Sequence, residues 1–341
     1  MTQERVGADH STPPFTALAD LASARVGGRA VATNDEFFAS KANLVRAAPA
    51  IFIPGKYTAR GKWMDGWESR RRRTPGHDWC IVQLGMRGAV HGVNVCTRFF
   101  NGNHPSHCSI DAVDATRVSG QLAVSAYPFV EILPTSGLRG DSDNFFAIAD
   151  RRSWTHLRLN IVPDGGVARL RVYGEAAIAW AEVAKAGRAV DLASILYGGL
   201  VLGASDMHFG ARDNLIMPGR AANMGDGWET RRRRGPGHDW AIVRLGAPGQ
   251  IARVEIDTNH FKGNYPDRAS LEAAFAPGAS LEALAAASWR MLLPETKLRA
   301  HHRHLFAREL AHVGPVSHVR LNIFPDGGVS RLRIHGRVAP A

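Results

Sequence analysis

Residues 64–85 read MDGWESRRRRTPGHDWCIVQLG, and residues 225–246 read GDGWETRRRRGPGHDWAIVRLG. Seventeen of the 22 aligned positions are identical, so one segment occurs twice at an offset of 161 residues. The repeat continues outward, because HLRLNIVPDGGVARLRVYG at 156–174 matches HVRLNIFPDGGVSRLRIHG at 318–336 at an offset of 162. Self-similarity of this kind marks a duplicated structural unit.

The duplication covers nearly the whole chain of 341 residues. Upstream, DLAS, two glycines and D-x-x-F-x-x-x-x-N-L occur at Asp20–Leu44 and again at Asp191–Leu215. The first copy carries about ten extra residues near Ala47–Lys62. A segment near Gly174–Arg188 joins the copies, and its alanines favour one short helix. We therefore predict two domains, 15–180 and 187–341.

The pattern within each copy is mostly that of strands. Residues 240–245 and 251–258 alternate with period two, as half-buried strands do. Residues 318–324 and 329–335 flank the sequence PDGG at 325–328, which predicts a hairpin turn. Short strands separated by turn signals indicate an all-β fold, an antiparallel β-sandwich or jelly roll in each copy. A parallel sheet is disfavoured because no alternating strand–helix–strand pattern is present.

Composition limits the partners. The net charge is +11, and 36 of the 42 basic residues are arginine, whose planar fork suits carboxylates and buried pairs. A high-GC genome explains the same bias without any function. We expect no nucleic-acid partner, and no membrane partner either, since no apolar run approaches the roughly 18–20 residues that cross a bilayer.

The cysteines favour a reduced, intracellular protein. There are three, Cys80, Cys96 and Cys108, an odd set without a secretory leader before it. None has a cysteine counterpart in the second copy, so a thiol nucleophile is disfavoured. HExxH, G-x-S-x-G, P-loop and CxxC motifs are also missing from the sequence.

The densest polar cluster is D-G-W-E-x-R-R-R-R-x-P-G-H-D-W. On an extended chain, four consecutive arginines place two side chains on each side. One pair would face an anionic ligand, and the other would reach a neighbouring carboxylate; a solvated basic edge or a phosphate-binding patch remains open. The histidine adds a group that titrates near neutral pH, although capping of the turn at 236–237 explains it equally well.

A second cluster, Thr258–Pro266, follows a predicted strand and should form a loop at the rim of the sandwich. Its candidates are His260 and Asn264. In the first copy Phe99 replaces His260 and His104 replaces Tyr265, so the copies share a framework but differ in acid/base groups.

Two further histidine patterns have structural explanations. The run HHRH at 301–304 looks like a metal site, but its counterpart at 141–144 lacks histidine, so we predict no metal ligands there. One face of a strand carries His318, Arg320 and Asn322. The first copy has the same residues at His156, Arg158 and Asn160. A shared structural network explains that face as well as a site does.

The repeated motifs D-G-W-E-[ST]-R-R-R-R, P-G-H-D-W, T-N-H-F-K-G-N-Y-P and L-N-I-[FV]-P-D-G-G-V-[AS]-R-L-R resemble those of the allantoicases. The resemblance covers nearly the whole chain. It implies two jelly-roll repeats of the galactose-binding-like type, a homo-oligomer, and a cytoplasmic role in purine and allantoin breakdown. The implied reaction is allantoate plus water giving ureidoglycolate and urea.

The resemblance gives the polar clusters their roles. Such a site needs a guanidinium for the substrate carboxylate, an acid for the leaving urea and a base for water. In the second copy we expect the catalytic groups to be His260, Glu229, Asp239 and His238. The expected substrate-binding residues are Arg231, Arg232, Arg233, Arg234, Asn264 and Trp228. Any cofactor is left open.

A different class of function remains as the alternative. Jelly rolls often bind sugars without catalysis, and the side chains of Trp228 and Trp240 would then stack on a ring. Nucleic-acid binding through the arginine run is a third hypothesis, and it predicts a steep loss of affinity with salt. Release of urea from allantoate separates the enzyme from both.

Overall fold

One 19-residue strand runs through each half of the chain, Asp78–Cys96 in the first and Asp239–Asp257 in the second. The computed structural model describes residues 12–339, which divide between Glu175 and Ala176 into unit 1 and unit 2. Each unit holds an eight-stranded antiparallel sheet folded over onto itself. The predicted all-β fold with two repeated jelly-roll sandwiches is confirmed.

From residue 12 onward, unit 1 contains twelve strands, the last of which ends one residue beyond the boundary, at Ala176. They are β1 (Ala19–Asp20), β2 (Arg29–Thr33), β3 (Tyr57–Thr58), β4 (Gly61–Lys62), β5 (Trp67–Glu68), β6 (Asp78–Cys96), β7 (His107–Val113), β8 (Val130–Gly137), β9 (Asp143–Ala147), β10 (Ser153–Val162), β11 (Gly166–Val167) and β12 (Arg169–Ala176). Short 3-10 helices lie at Pro14–Ala17, Ala24–Val26, Lys41–Val45, Ala115–Arg117 and Val124–Ala126.

Unit 2 repeats this order without the counterparts of β3 and β4. Its elements are α1 (Trp180–Lys185), β13 (Val190–Asp191), β14 (Leu200–Ala204), β15 (Trp228–Glu229), β16 (Asp239–Asp257), β17 (Arg268–Ala274), β18 (Arg290–Lys297), β19 (Arg303–Phe306), β20 (Val316–Phe324), β21 (Gly328–Val329) and β22 (Arg331–Val338). Its 3-10 helices are Ile195–Tyr197, Arg212–Ile216, Met224–Asp226 and Ala283–Ala286. The helix α1 confirms the one predicted from the alanine-rich segment.

The long strand β16 belongs to both layers of unit 2. Its first part, residues 239–244, pairs with β14 and β20, and its last part, 249–257, pairs with β19 and β22. The pairing register shifts between Arg244 and Gly249, so the strand turns a corner there. β17 and β18 extend the first layer beyond β20, and β13 extends the second beyond β22.

The core lies between the two layers. Alternate side chains of the second layer, among them Val254 and Ile256 on β16, point inward and are fully buried. Val319, Leu321 and Ile323 on β20, in the first layer, are fully buried as well. Each buried aliphatic side chain contributes about 1.5–3 kcal/mol relative to an exposed one, so this alternation alone specifies which face points inward.

The predicted hairpin at 325–328 is wrong. β20 and β22 both pair with β16, on either side of its corner, and not with each other. The PDGG segment instead crosses from one layer to the other, and Gly328–Val329 pair with Trp228–Glu229. The amide of Gly327 donates to Thr230 Oγ1 at 3.1 Å, and the Asp326 carboxylate accepts from the Arg233 amide at 2.7 Å. Proline and glycine do produce a turn here, but contacts with residues distant in sequence decide the direction that the chain takes after it.

Candidate functional site

The arginine run lies along one rim of each unit, between β15 and β16 in unit 2. The Arg231 amide donates to Asp206 Oδ2 at 2.7 Å, and its Nε donates to Oδ1 at 3.3 Å. Arg233 donates to Asp239 through its guanidinium and to Asp326 through its amide. Within residues 12–339, Arg232 and Arg234 are exposed and make no hydrogen bond or ion pair. Two arginines are thus anchored and two remain available.

Unit 1 repeats the anchored pair. Arg70 Nε donates to Asp35 Oδ2 at 2.6 Å, and Arg72 donates to Asp78 Oδ1 at 2.7 Å. A cleft of about 400 Å³ runs beside this run and is bordered by Asn34 and by both aspartates. Because both units use these two arginines to bind buried or half-buried aspartates, the anchored arginines have a structural role.

Glu229, Asn264 and Trp228 lie close together just inside the rim. Asn264 donates a hydrogen bond to the buried carboxylate of Glu229. The corresponding pair in unit 1 is Asn103 with Glu68, at 2.7 Å; burial raises the pKa of Glu68, while the hydrogen bond from Asn103 opposes that shift. Trp228 is fully buried and its Nε1 donates to Asp206 O at 2.8 Å, so stacking of its ring on a ligand has no support in this geometry.

His238 and Asp239 point to different surroundings, as neighbouring residues at the start of a strand do. Asp239 is buried and accepts hydrogen bonds from Arg233 and from Ser205 Oγ, the latter at 2.9 Å. The His238 ring is partly buried and packs on Phe324, with 4.8 Å between ring centroids. Glu229, Asp239 and His238 therefore have structural contacts that the sequence did not reveal, and their catalytic roles stay predictions.

His260 lies in the predicted rim loop and has φ of 70°. Its backbone amide donates to His301 Nδ1 at 2.8 Å, just as the Phe99 amide donates to Asp141 in unit 1 at 2.7 Å. Since Phe99 has φ of 69°, the loop conformation does not depend on the imidazole. His260 Nε2 lies 2.9 Å from Ala221 O, and a carbonyl can only accept, so Nε2 carries the proton and Nδ1 is left as an acceptor in the neutral ring.

The histidines of the HHRH run replace other polar residues in structural positions. His301 takes the place of Asp141, as described above. His304 Nε2 accepts from the Arg299 amide at 2.9 Å, where Asn144 Oδ1 accepts from the Arg139 amide at the same distance. Burial lowers the pKa of His304, which favours its neutral form.

The polar face at 318–322 is a structural network in both units. Arg320 and Asn322 both donate to Glu272 Oε2, at 2.7 and 2.8 Å. The same contacts join Arg158 and Asn160 to Asp111.

A cluster that the sequence analysis missed lies on the outer face of the second layer of unit 2. Because Val254 and Ile256 point into the core, Glu255 and Asp257 point outward, yet they are only 7% and 0% exposed. Arginine and histidine side chains of the adjacent strands face them. The members of this outer-face cluster are Asp191, Arg220, Glu255, Asp257, Arg303, Arg331, Arg333 and His335.

Charge pairing organises the outer-face cluster. Arg303 donates to both oxygens of Glu255, at 3.0 and 2.6 Å, and Arg331 donates to Asp226 Oδ2 at 2.9 Å. Arg333 Nη1 is buried without a hydrogen-bond partner, 3.6 Å from an Asp191 oxygen. Burial lowers the pKa of His335, in part opposed by the nearby Asp191 charge.

The same face of unit 1 has the arginine frame, and its cavity is lined by one carboxylate, Asp143, and by no histidine. Arg169 pairs with Asp65 at 2.7 Å as Arg331 does with Asp226. The positions of Glu255, Asp257, His260 and His335 are occupied in unit 1 by Asn94, Cys96, Phe99 and Tyr173. These four residues also line that cavity, which has a volume of about 380 Å³. Burial raises the pKa of the Cys96 thiol to about 12, so a thiolate is not available there.

The arginine run and the outer-face cluster lie at the same rim of unit 2. β20 ends beside Asp239, and β22 begins opposite Asp257. The connection at 325–330 has six residues and spans at most about 25 Å when fully extended. β15 pairs with β21, which lies within this connection, so Glu229 lies between the arginine run and the outer-face cluster.

Comparison with known proteins identifies the family. A model of the allantoicase repeat matches residues 19–177 and 190–339. The chain belongs to the allantoicase family. It is 51% identical to a probable allantoicase of Pseudomonas paraeruginosa (97% of this chain, 99% of the relative) and 50% identical to probable allantoicase 1 of Burkholderia mallei (96% and 97%).

Solved structures agree. The crystal structure of allantoicase from Saccharomyces cerevisiae is 32% identical, with a TM-score of 0.80 over 94% of this chain and 96% of that one. A second allantoicase structure is 33% identical and has the same TM-score over 94% and 93%. Among residues 12–339, no helix is both long and apolar enough to cross a membrane.

One sequence signal would have found the outer-face cluster in this allantoicase-family chain. The end of β16 reads VEID at 254–257, whereas the end of β6 reads VNVC at 93–96. The two copies keep the inward-facing apolar residues and differ at the outward-facing ones. A search for new charges at outward positions would have selected Glu255 and Asp257.

Proposed function

We propose that the protein hydrolyses allantoate to ureidoglycolate and urea. The support is near full-length similarity, at about half identity, to relatives named probable allantoicases, together with the two family repeats. The bond to be cleaved joins a ureido nitrogen to the carbon that also bears the carboxylate. This class of hydrolysis needs a cation for the carboxylate, a base for water and an acid for the leaving urea.

The difference in acid/base residues between the two units indicates where the reaction takes place. At three positions unit 2 has an acid/base side chain that unit 1 lacks, since Glu255, Asp257 and His260 stand where unit 1 has Asn94, Cys96 and Phe99. We therefore locate the reaction in unit 2. The sequence-based assignment of the substrate carboxylate to the arginine run stays a prediction, and only Arg232 and Arg234 are available for it.

A direct assay tests the function. Purified protein is incubated with allantoate, and urea and ureidoglycolate are quantified against time. Equimolar release of both products at a rate proportional to enzyme supports the proposal. Allantoate binding by calorimetry without product would favour the non-catalytic module instead, and neither binding nor release would overturn both.

We also propose that the chain forms a homo-oligomer in the cytoplasm. The residues inserted in unit 1 expose large apolar side chains, notably Ile51 and Tyr57, as surfaces that bind other chains often do. Light scattering of the purified protein should give a mass that is a multiple of 37.0 kDa. A monomer at all concentrations would contradict this.

A further inference from the structure

The outer face of unit 2 holds a charge that the fold does not require. Glu255 and Asp257 are buried although they point away from the core, and burying a carboxylate is costly unless it is paired and hydrogen-bonded. Unit 1 forms the same strand with Asn94 and Cys96 at these positions. Glu255 pairs with Arg303 where unit 1 has Asn94 hydrogen-bonded to Asp143, so cross-strand pairing accounts for it. Asp257 is the added carboxylate that the architecture of the sheet does not account for.

The Asp257 carboxylate is held in two different ways. Oδ1 accepts a hydrogen bond from the backbone N–H of Asn259 at 2.9 Å, which fixes the orientation of the carboxylate. Oδ2 is contacted by the Nε and one terminal nitrogen of Arg220, both at 3.4 Å, beyond the usual range for a strong charged hydrogen bond. One oxygen is thus firmly placed, and the other has a partner that is easily displaced.

Arg220 covers Asp257 from the solvent side. Its side chain is 55% exposed, while that of Asp257 is 1% exposed beneath it. The framework around it is the same in both units: Arg331 Nε donates to Gly219 O, and Arg169 Nε donates to Ala48 O. Gly219 precedes Arg220 just as Ala48 precedes Pro49, so Pro49 is the counterpart of Arg220 in unit 1. Pro49 has no side-chain donor and borders the open cavity of about 380 Å³.

That cavity shows how much room this face has when the arginine is absent. A volume of about 380 Å³ lies within the range of small-molecule sites, roughly 300–1,000 Å³. In unit 2 a rotation of the exposed Arg220 side chain away from Asp257 would open the corresponding space. The guanidinium released in that way is free to bind an anionic ligand.

The geometry points to a reaction centre on this face: Asp257 is the general base, and Arg220 binds the substrate carboxylate after leaving Asp257. The inference rests on the proposed hydrolysis of allantoate and assigns residues to it. The substrate carboxylate takes the edge of Arg220 that now faces Asp257, its Nε and one terminal nitrogen. Binding and exposure of Asp257 are then one event, because two carboxylates cannot share that edge. A ligand without a carboxylate would leave Asp257 covered.

The chemical step is balanced by residues on this face. Asp257 takes one proton from a water molecule, whose oxygen forms the new bond to the central carbon. The bond from that carbon to one ureido nitrogen breaks, and its electron pair leaves with the nitrogen, which takes a proton and departs as urea. A protonated His260, which lies against Ala221 in the loop that carries Arg220, supplies this proton. The proton gained by Asp257 returns to His260 through solvent, so the enzyme is unchanged.

The test transplants residues of unit 1 into unit 2. Asp257→Cys introduces the residue that the same frame already accepts at Cys96, and Asp257→Asn keeps the shape of the side chain and its contact with the Asn259 amide. Both variants should lose at least about 100-fold in kcat, the usual contribution of a general base, at an unchanged melting temperature. Cys96→Ser in unit 1 is the matched control and should keep wild-type activity.

Arg220→Ala separates binding from chemistry. KM for allantoate should rise at least about tenfold while kcat falls less, and Arg220→Lys should restore part of the loss. Calorimetry with allantoate should show intact binding by Asp257→Asn and weakened binding by Arg220→Ala. An Asp257→Asn variant with more than a tenth of wild-type kcat, or an Arg220→Ala variant with wild-type KM and affinity, overturns the inference. A wild-type protein that releases no urea overturns the proposed function instead, and the calorimetric comparison still decides whether Arg220 binds the carboxylate.

Discussion

The guanidinium of Arg233 donates a hydrogen bond to the buried carboxylate of Asp239, six residues further along the chain. Arg72 makes the same contact with Asp78 in unit 1. In both units the arginine amide also donates to an aspartate of the PDGG segment, Asp326 or Asp164. One residue of the run therefore ties the start of the long strand to the crossing between the two layers.

Arg233→Ala should destabilise unit 2. Removing the guanidinium leaves Asp239 buried with only its hydrogen bond from Ser205 among the side-chain contacts described, and an uncompensated buried acceptor costs about 1–3 kcal/mol. Chemical denaturation should show a lower free energy of unfolding for this variant. Arg232→Ala, the neighbouring substitution on the exposed side, should stay within about 0.5 kcal/mol of wild type. Equal stability of the two variants would mean that the ion pair contributes nothing.

Arg232→Ala and Arg234→Ala decide where the substrate carboxylate binds. If Arg220 binds it, both variants should keep kcat/KM within about threefold of wild type, because their exposed side chains make no hydrogen bond or ion pair within the described residues. Loss of a charge-assisted hydrogen bond to substrate costs about 1.5–3 kcal/mol, or roughly 10- to 150-fold. A loss of that size in either variant would place the carboxylate on the arginine run.

Sequence comparison predicted the duplication and the strand-rich fold because both depend on local patterns. The repeat is visible when the two halves of the sequence are aligned. The alternation on β16 follows from the positions of its apolar side chains. The pairing of Arg231 with Asp206 and of Arg233 with Asp326 spans 25 and 93 positions, which no local pattern encodes. For the same reason the local pattern at PDGG predicts a hairpin turn, although the segment connects the two layers.

The outer-face cluster escaped prediction for a related reason. Alternation shows that Glu255 points away from the core, and outward residues are ordinarily solvated. Whether a loop covers that face depends on contacts such as that of Arg333 with the carbonyl oxygens of Met217 and Gly219, more than a hundred residues away. The location of His260 in a rim loop was predicted correctly, since strand end and turn residues mark it locally.

Acid should destabilise the protein partly through His318. This ring is fully buried, and burial, helped by the nearby Arg244 charge, lowers its pKa to about 4. In the unfolded chain a histidine titrates near about 6.5, so the unfolded state binds the proton first. The contribution of neutral His318 is fully present above pH 6.5 and is lost as the pH falls from 6.5 towards 4, by at most about 1.4 kcal/mol per pH unit. A His318→Gln variant should show a flatter dependence of unfolding free energy on pH across this window, whatever its stability at neutral pH. Parallel curves for variant and wild type would show that another group controls the transition.

His260→Phe tests the acid without disturbing the loop. Phe99 occupies the same position in unit 1 with the same positive φ, and its amide makes the equivalent hydrogen bond, so the substitution suits the backbone. The variant should melt close to wild type, since only the contact of Nε2 with Ala221 O is lost. Its kcat should fall at least about 100-fold, because a phenyl ring transfers no proton and a general acid contributes typically 10²–10⁴-fold. His104→Ala is the control in unit 1, where Nδ1 lies 2.6 Å from Asn101 O, and it should keep its activity. An inactive His104→Ala beside an almost unaffected His260→Phe would move the reaction to unit 1.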